Sequence, residues 1–177
     1  MILSRALEVS NKYQGLLSPW CEPEMCRIAG STRRKKPEVG DIELVCVPRT
    51  VHLIPFVTTV RQWYKKKGEP TGRYTKRGLY EGIDLDLFIP QKEDFIRQFV
   101  IRTGSDTYSH NVIAAAWVKK GWRGTEDGLR LEKECIQQGK KWLVNVPRPQ
   151  LPPIWKTEEE FFAWLGVKFI EPEKRNL

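Results

Sequence analysis

Two short stretches of this chain alternate acid with aliphatic residue, Asp41-Ile42-Glu43-Leu44-Val45-Cys46-Val47 and Asp84-Leu85-Asp86-Leu87-Phe88. A period of two in residues that favour extended backbone predicts a strand in each case. Residues i and i+2 project from the same face, so Asp41 and Glu43 aim at one spot while Ile42 and Leu44 enter a core. Asp84 and Asp86 share a face in the same way. A third carboxylate from a neighbouring strand would join the first pair. Carboxylates held that close repel unless a cation lies between them, and Mg²⁺ takes a few such oxygens together with substrate phosphate. Either motif alone reads equally well as a solvated strand face.

The remaining elements can be set around these strands. Met1 to Leu17 has helical spacing in its first half. Cys26 to Ala29 reads as a short strand leading into Gly30-Ser31. Leu53, Phe56, Val57, Val60, Trp63 and Tyr64 recur at helical spacing, and that helix is expected to end in Lys65-Lys66-Lys67-Gly68. Gly72–Leu79 and Gly82–Ile89 read as a strand pair. Glu93–Ile101 is a short helix, and Gly104-Ser105-Asp106 caps a second one running from Thr107 to Lys120. Leu129–Val146 holds two short strands around Gln138-Gly139. Thr157 and Glu160 form a capping box for a helix that Gly166 ends. The order predicts an α+β chain of two lobes, 1–90 and 91–177, hinged near Pro90.

A Gly-Ser step at the end of a strand exposes backbone N–H groups and a hydroxyl that can hold phosphate oxygens. Arg33 or Arg34 beside it would add a charged fork for a triphosphate. In order along the chain, GSTRRKKPEVGDIELVCVP, LDLFIP, IRTGSDTYSHN and TEEEFFAWLGVKFIEPEKRN span most of the sequence. Together they resemble the signature of the family X DNA polymerases, in the polymerase β-like nucleotidyltransferase superfamily. The resemblance implies a nucleotidyltransferase palm, a mixed sheet with flanking helices, followed by a small α+β thumb. Too few residues precede Gly30 for the family's lyase and fingers regions, so it implies the minimal palm–thumb form. Asp41, Glu43 and Asp86 would be the catalytic acids that bind two Mg²⁺ ions, with Mn²⁺ as a substitute. Asp84, two residues earlier on the same face, is the other candidate for the third acid. Gly30, Ser31 and Arg34 would hold the nucleotide phosphates, and Thr103, Gly104 and Asp106 its sugar and base. Glu43 stands where the family usually has Asp, and Ile101-Arg102 replaces its ribose-screening aromatic pair.

Thirty Lys and Arg against 22 Asp and Glu leave a net charge of +8, compatible with a polyanionic partner. Lys65, Lys66, Lys67, Arg73, Lys76, Arg77, Lys119 and Lys120 are the candidate contacts to DNA phosphates. The implied partners are a primer–template or gapped duplex and a nucleoside triphosphate, and the implied activity is gap filling in repair by a monomer. A nucleotidyltransferase acting on RNA, protein or a small molecule shares the palm motif, and a non-catalytic basic DNA-binding protein shares the charge. No apolar run is long enough to span a bilayer, and no secretory signal opens the chain, so an intracellular site with the genome is expected. Cys21 and Cys26 could be half a metal site, but His52 and His110 lie far off in sequence. Buried free thiols are therefore expected.

Overall fold

A computed structural model describes residues 1–177. The first half is one mixed five-stranded sheet with helices. Its elements are α1 (Leu3–Leu17), β1 (Cys21–Ile28), a single turn α2 (Gly30–Arg33), β2 (Ile42–Pro48), α3 (Leu53–Arg61), β3 (Tyr64–Gly68), β4 (Tyr74–Gly78) and β5 (Asp84–Phe88). The strands lie in the order β1-β2-β5-β4-β3. Only β2 and β5 pair in parallel, with Ile42 opposite Leu85 and Glu43 opposite Asp86. That register sets the two alternating motifs side by side and in phase.

Parity then sorts the side chains. Ile42, Leu44, Cys46, Leu85 and Leu87 turn to one face, where they bury against Val9, Tyr13 and Leu17 of α1 and Phe56, Val57 and Val60 of α3. Fully burying one such aliphatic or aromatic side chain contributes roughly 1.5–3 kcal/mol, so this face holds the sheet together. Val45 and Val47 turn to the other face and pack with Ala29 against Phe95 and Phe99 of α4 (Phe95–Thr103). The acids share that second face.

After α4 come α5 (Asp106–Tyr108), a π-helical stretch at Ser109–Ala114 and α6 (Ala115–Lys119). Ser105 caps this run by accepting a hydrogen bond from Tyr108 N. Two hairpins follow, β6 (Trp122–Thr125) with β7 (Gly128–Leu131), and β8 (Cys135–Gln138) with β9 (Lys141–Val144). The chain closes with α7 (Glu158–Leu165). Thr157 accepts from Glu160 N, Glu160 accepts from Lys156 N, and Gly166 ends the helix at φ +75°. A core of Val100, Ile113, Trp117, Leu129, Trp155, Phe161 and Phe162 unites these elements.

Two expectations need correction. The helix α3 stops at Arg61, and Tyr64–Gly68 is a strand, not the helix's basic end. Pairing with β4, Tyr64 opposite Gly78 and Lys65 opposite Arg77, overrides the local pattern. The first strand is twice as long as Cys26–Ala29. The hairpin β6–β7 adds to the expected elements: Glu126 and Asp127 form its turn, and Gly128, at φ +112°, opens β7 opposite Thr125.

Candidate active site

The acid face forms where β2, β5 and β4 lie side by side. Asp41 immediately precedes β2, Glu43 is its second residue, and Asp84 and Asp86 lie on β5. On β4, Tyr74 and Lys76 share parity with the acids, because Lys76 sits opposite Asp86 in the antiparallel register. Lys76 Nζ lies 3.3 Å from Asp41 Oδ2, 3.2 Å from Asp86 Oδ2 and 3.7 Å from Asp84 Oδ2. The Tyr74 hydroxyl donates to Asp86 Oδ1. Asp84 also pairs with Lys66 at the rim, while Asp86 is the more deeply buried of the two at 9% exposure.

Glu43 leans toward the turn that follows β1. Gly30 sits at φ +62°, and a Cβ there would collide with Oε2 of Glu43. A glycine is required on both counts, conformation and space. The Gly30-Ser31 turn thus stands directly beside the second acid.

Crowding of like charge shows in the proton affinities. Burial, and then the carboxylates of Asp41 and Asp86, push Glu43 up to about 7, against the pull of Arg102 and Arg34. Burial and a hydrogen-bonded Asp86 likewise raise Asp41 above the ordinary carboxylate value, with Lys76 opposing. Burial and the bond to Asp86 raise the Tyr74 phenol to about 12. Burial lowers the proton affinity of Lys76, but Asp86 and Asp41 outweigh it and raise the ammonium above its ordinary value. The donor set is carboxylate oxygen throughout, which suits a hard divalent cation such as Mg²⁺ or Mn²⁺.

The remaining candidate residues divide sharply. Arg34 reaches across to the second half, donating from Nη1 to Thr103 O at 2.6 Å and from Nε to Asn176 Oδ1 at 3.0 Å. Arg33 instead stacks on Phe99 at 3.8 Å and forks onto Glu158 at 2.8 and 3.0 Å. Asp106 is exposed at the start of α5. Gly104 is buried where a Cβ would meet Ser109 Oγ. Thr103 turns its side chain inward. It is fully buried, and its hydroxyl donates to Phe99 O and accepts from Arg33.

Among the basic residues, Lys65, Lys66 and Lys67 are exposed on the edge strand β3, and Lys119 and Lys120 are exposed at the end of α6. Arg73 is tied to Asp127 of the second half at 2.9 Å. Two do not belong to the surface set. Lys76 stands in the acid cluster, and Arg77, on the opposite parity, is only 2% exposed and donates to Thr75 Oγ1. Parity along Tyr74-Thr75-Lys76-Arg77 separates these roles, but only once the register with β5 is known.

Beside Asp86 opens a cleft of about 520 Å³ between the sheet and the second half, bordered by Lys67, Tyr74, Phe88, Gln98 and Arg102. Arg102 packs over the Phe88 ring at 4.1 Å and adds positive charge near Glu43. Sequence reasoning noticed it only as part of a replaced pair. No helix is long and apolar enough to cross a membrane.

The family model of the DNA polymerase beta thumb matches residues 99–176. The crystal structure of Leishmania infantum polymerase beta as a ternary P/T complex is similar over 100% of this chain and 77% of that one, at 18% identity and a TM-score of 0.72. Its ternary gap complex is similar over 99% and 70%, at 17% identity and a TM-score of 0.73. No curated protein matches by sequence. Residues 99–176 thus match the DNA polymerase beta thumb, and over its whole length the chain shares the fold of Leishmania infantum polymerase beta.

Proposed function

We propose that the chain is a template-directed DNA polymerase that adds a nucleotide to a DNA 3′ hydroxyl, filling gaps in repair as a monomer where the genome resides. The observation that carries this reading is the acid face, where Lys76 bridges Asp41 and Asp86 while Glu43 lies against the Gly30-Ser31 turn. On this reading residues 1–90 act as palm and 91–177 as thumb.

Asp41, Glu43 and Asp86 would hold two divalent cations. Bound Mg²⁺ would supply charge that acidifies the primer hydroxyl and offsets the triphosphate. The chain's own groups do the rest. Ser31 Oγ and backbone N–H groups of the turn donate to phosphate oxygens, and Arg34 adds a charge-assisted fork. Asp86, with Tyr74 fixing one of its oxygens, faces the hydroxyl that must lose a proton. Asp106 and the backbone around Gly104 border the sugar and base. Lys65, Lys66 and Lys67 on the palm, and Lys119 and Lys120 on the thumb, track DNA phosphates, and Arg73 joins them when it leaves Asp127. Positioning and charge are the main devices available to such a site.

The test uses a labelled one-nucleotide gapped duplex, a single matched nucleotide and Mg²⁺ or Mn²⁺. Wild type should extend the primer, and Asp86→Asn should stop extension while still binding the nucleotide. Label transferred to RNA or protein, or DNA binding with no turnover, would reject the reading.

A further inference from the structure

Cys21 and Cys26 are five residues apart on β1, a spacing that points side chains to opposite faces of a regular strand. In this strand they point the same way. Cys21 pairs with Pro48 and Cys26 with Cys46, so five steps along β1 run against two along β2. The excess is absorbed between them, where Glu24 adopts φ 60°. A non-glycine residue in that left-handed region costs roughly 1–2 kcal/mol. The irregularity swings Cys21 onto the side of Cys26 and Cys46.

The three Sγ atoms lie within 4.8 Å of one another, and those of Cys26 and Cys46 are 3.1 Å apart. All three thiols are buried, at 2%, 6% and 0% exposure. Zinc–thiolate bonds of about 2.3 Å hold their sulfurs roughly 3.8–4.0 Å apart, so shifts of less than about 1 Å would complete a ligand set. The charge of Arg49 lies close enough to Cys21 to offset part of the negative charge of a metal-bound trio. Strand β1 is an edge of the sheet, so local opening of one strand gives an ion access.

We propose that Cys21, Cys26 and Cys46 form a binding site for a thiophilic metal ion of the Zn²⁺ or Cu⁺ class, which staples β1 to β2. Thiolate sulfur selects these ions over Mg²⁺ and Mn²⁺, and the thiol protons leave to solvent as the metal binds. The site lies on the sheet face opposite the acids, so it is independent of the polymerase reading.

Reduced, chelator-washed full-length protein is titrated with Co²⁺. One equivalent should give the thiolate-to-cobalt charge-transfer absorption, displaced by Zn²⁺, and Zn²⁺ should raise the melting temperature. Cu⁺ offered against a colorimetric chelator tells which ion of the class binds more tightly. Cys26→Ala, the mildest core change of the three, should weaken Co²⁺ binding more than about tenfold. Asp86→Asn and Cys135→Ser should both keep the absorption. Absence of charge transfer in reduced wild type, its persistence in Cys26→Ala, or its loss in Cys135→Ser would overturn the proposal. So would a native mass two protons light that returns no metal binding on reduction.

Discussion

Lys76 gives the acid face its own counter-charge, with Nζ 3.2 Å from Asp86 and 3.3 Å from Asp41. At an effective dielectric of 20, each such contact is worth about 5 kcal/mol before desolvation and solvent screening, which remove most of it. On the proposed two-cation reading, a cation entering the site would displace this ammonium. Lys76→Met should therefore lower the melting temperature of the metal-free protein and tighten Mn²⁺ binding about threefold to tenfold, read from the electron spin resonance of free Mn²⁺. Weaker binding in the variant would make Lys76 a helper and not a competitor. Gly30 poses the complementary case. Gly30→Ala puts a methyl where Glu43 Oε2 lies, on a backbone at φ +62°. The variant should lose about 1–2 kcal/mol of stability and nearly all primer extension, measured by denaturant melts and the gapped-duplex assay. Unchanged activity would mean that Glu43 has no part in the chemistry.

The edge strand β3 shows how an element can defy its own sequence. Leu53 to Tyr64 has helical spacing throughout, yet the helix ends at Arg61 because Tyr64–Gly68 finds hydrogen-bond partners on β4. Three lysines on an edge also discourage another chain from adding to the sheet. Lys65 is held by Glu69, whereas Lys67 borders the cleft beside Tyr74. If the strand tracks DNA phosphates, replacing Lys65 and Lys67 by Ala should reduce the slope of log K against log salt by about 2. Fluorescence anisotropy on a gapped duplex over a salt series reads that slope, and an unchanged slope removes β3 from the DNA path.

Across the whole molecule, one buried cluster joins the two halves. Glu158 at the start of α7 accepts two bonds from Arg33 of the palm and two at 3.0 Å from Arg175, which is fully buried. Arg34 spans the same junction to Thr103 and Asn176. Removing the central acid would leave two guanidinium groups without their carboxylate, so Glu158→Ala should cost about 3–5 kcal/mol in a urea melt. Burial alone would raise the Glu158 carboxyl, but the bonds from Arg33 and Arg175 prevail and hold it below the usual value. A depressed carboxyl stabilises the fold above its unfolded pKa of about 4.3, and that contribution fades as pH falls through the folded value. Wild type should thus lose stability on acidification over this range more steeply than Glu158→Gln, as followed by melting temperature against pH.

The sequence by itself determined what depends on neighbours along the chain. The alternation at 41–47 and 84–88, the Ser105 and Thr157 caps and the stop at Gly166 all follow from local periodicity and local hydrogen bonding. Pairing of the two acid strands follows almost as directly, since both have an apolar face that needs the same core. Other roles depend on register between segments far apart. Lys76 and Arg77 differ by one residue, and only the alignment of β4 with β5 sends one to the acids and buries the other. Arg33 and Arg34 read alike until α7 and the carboxy-terminal tail fold over them. Cys21 joins Cys26 and Cys46 only because β1 departs from its period, a strain that sequence patterning does not encode. Tertiary structure decided these cases because burial and partner choice are properties of the assembled sheet, to which each segment contributes one side.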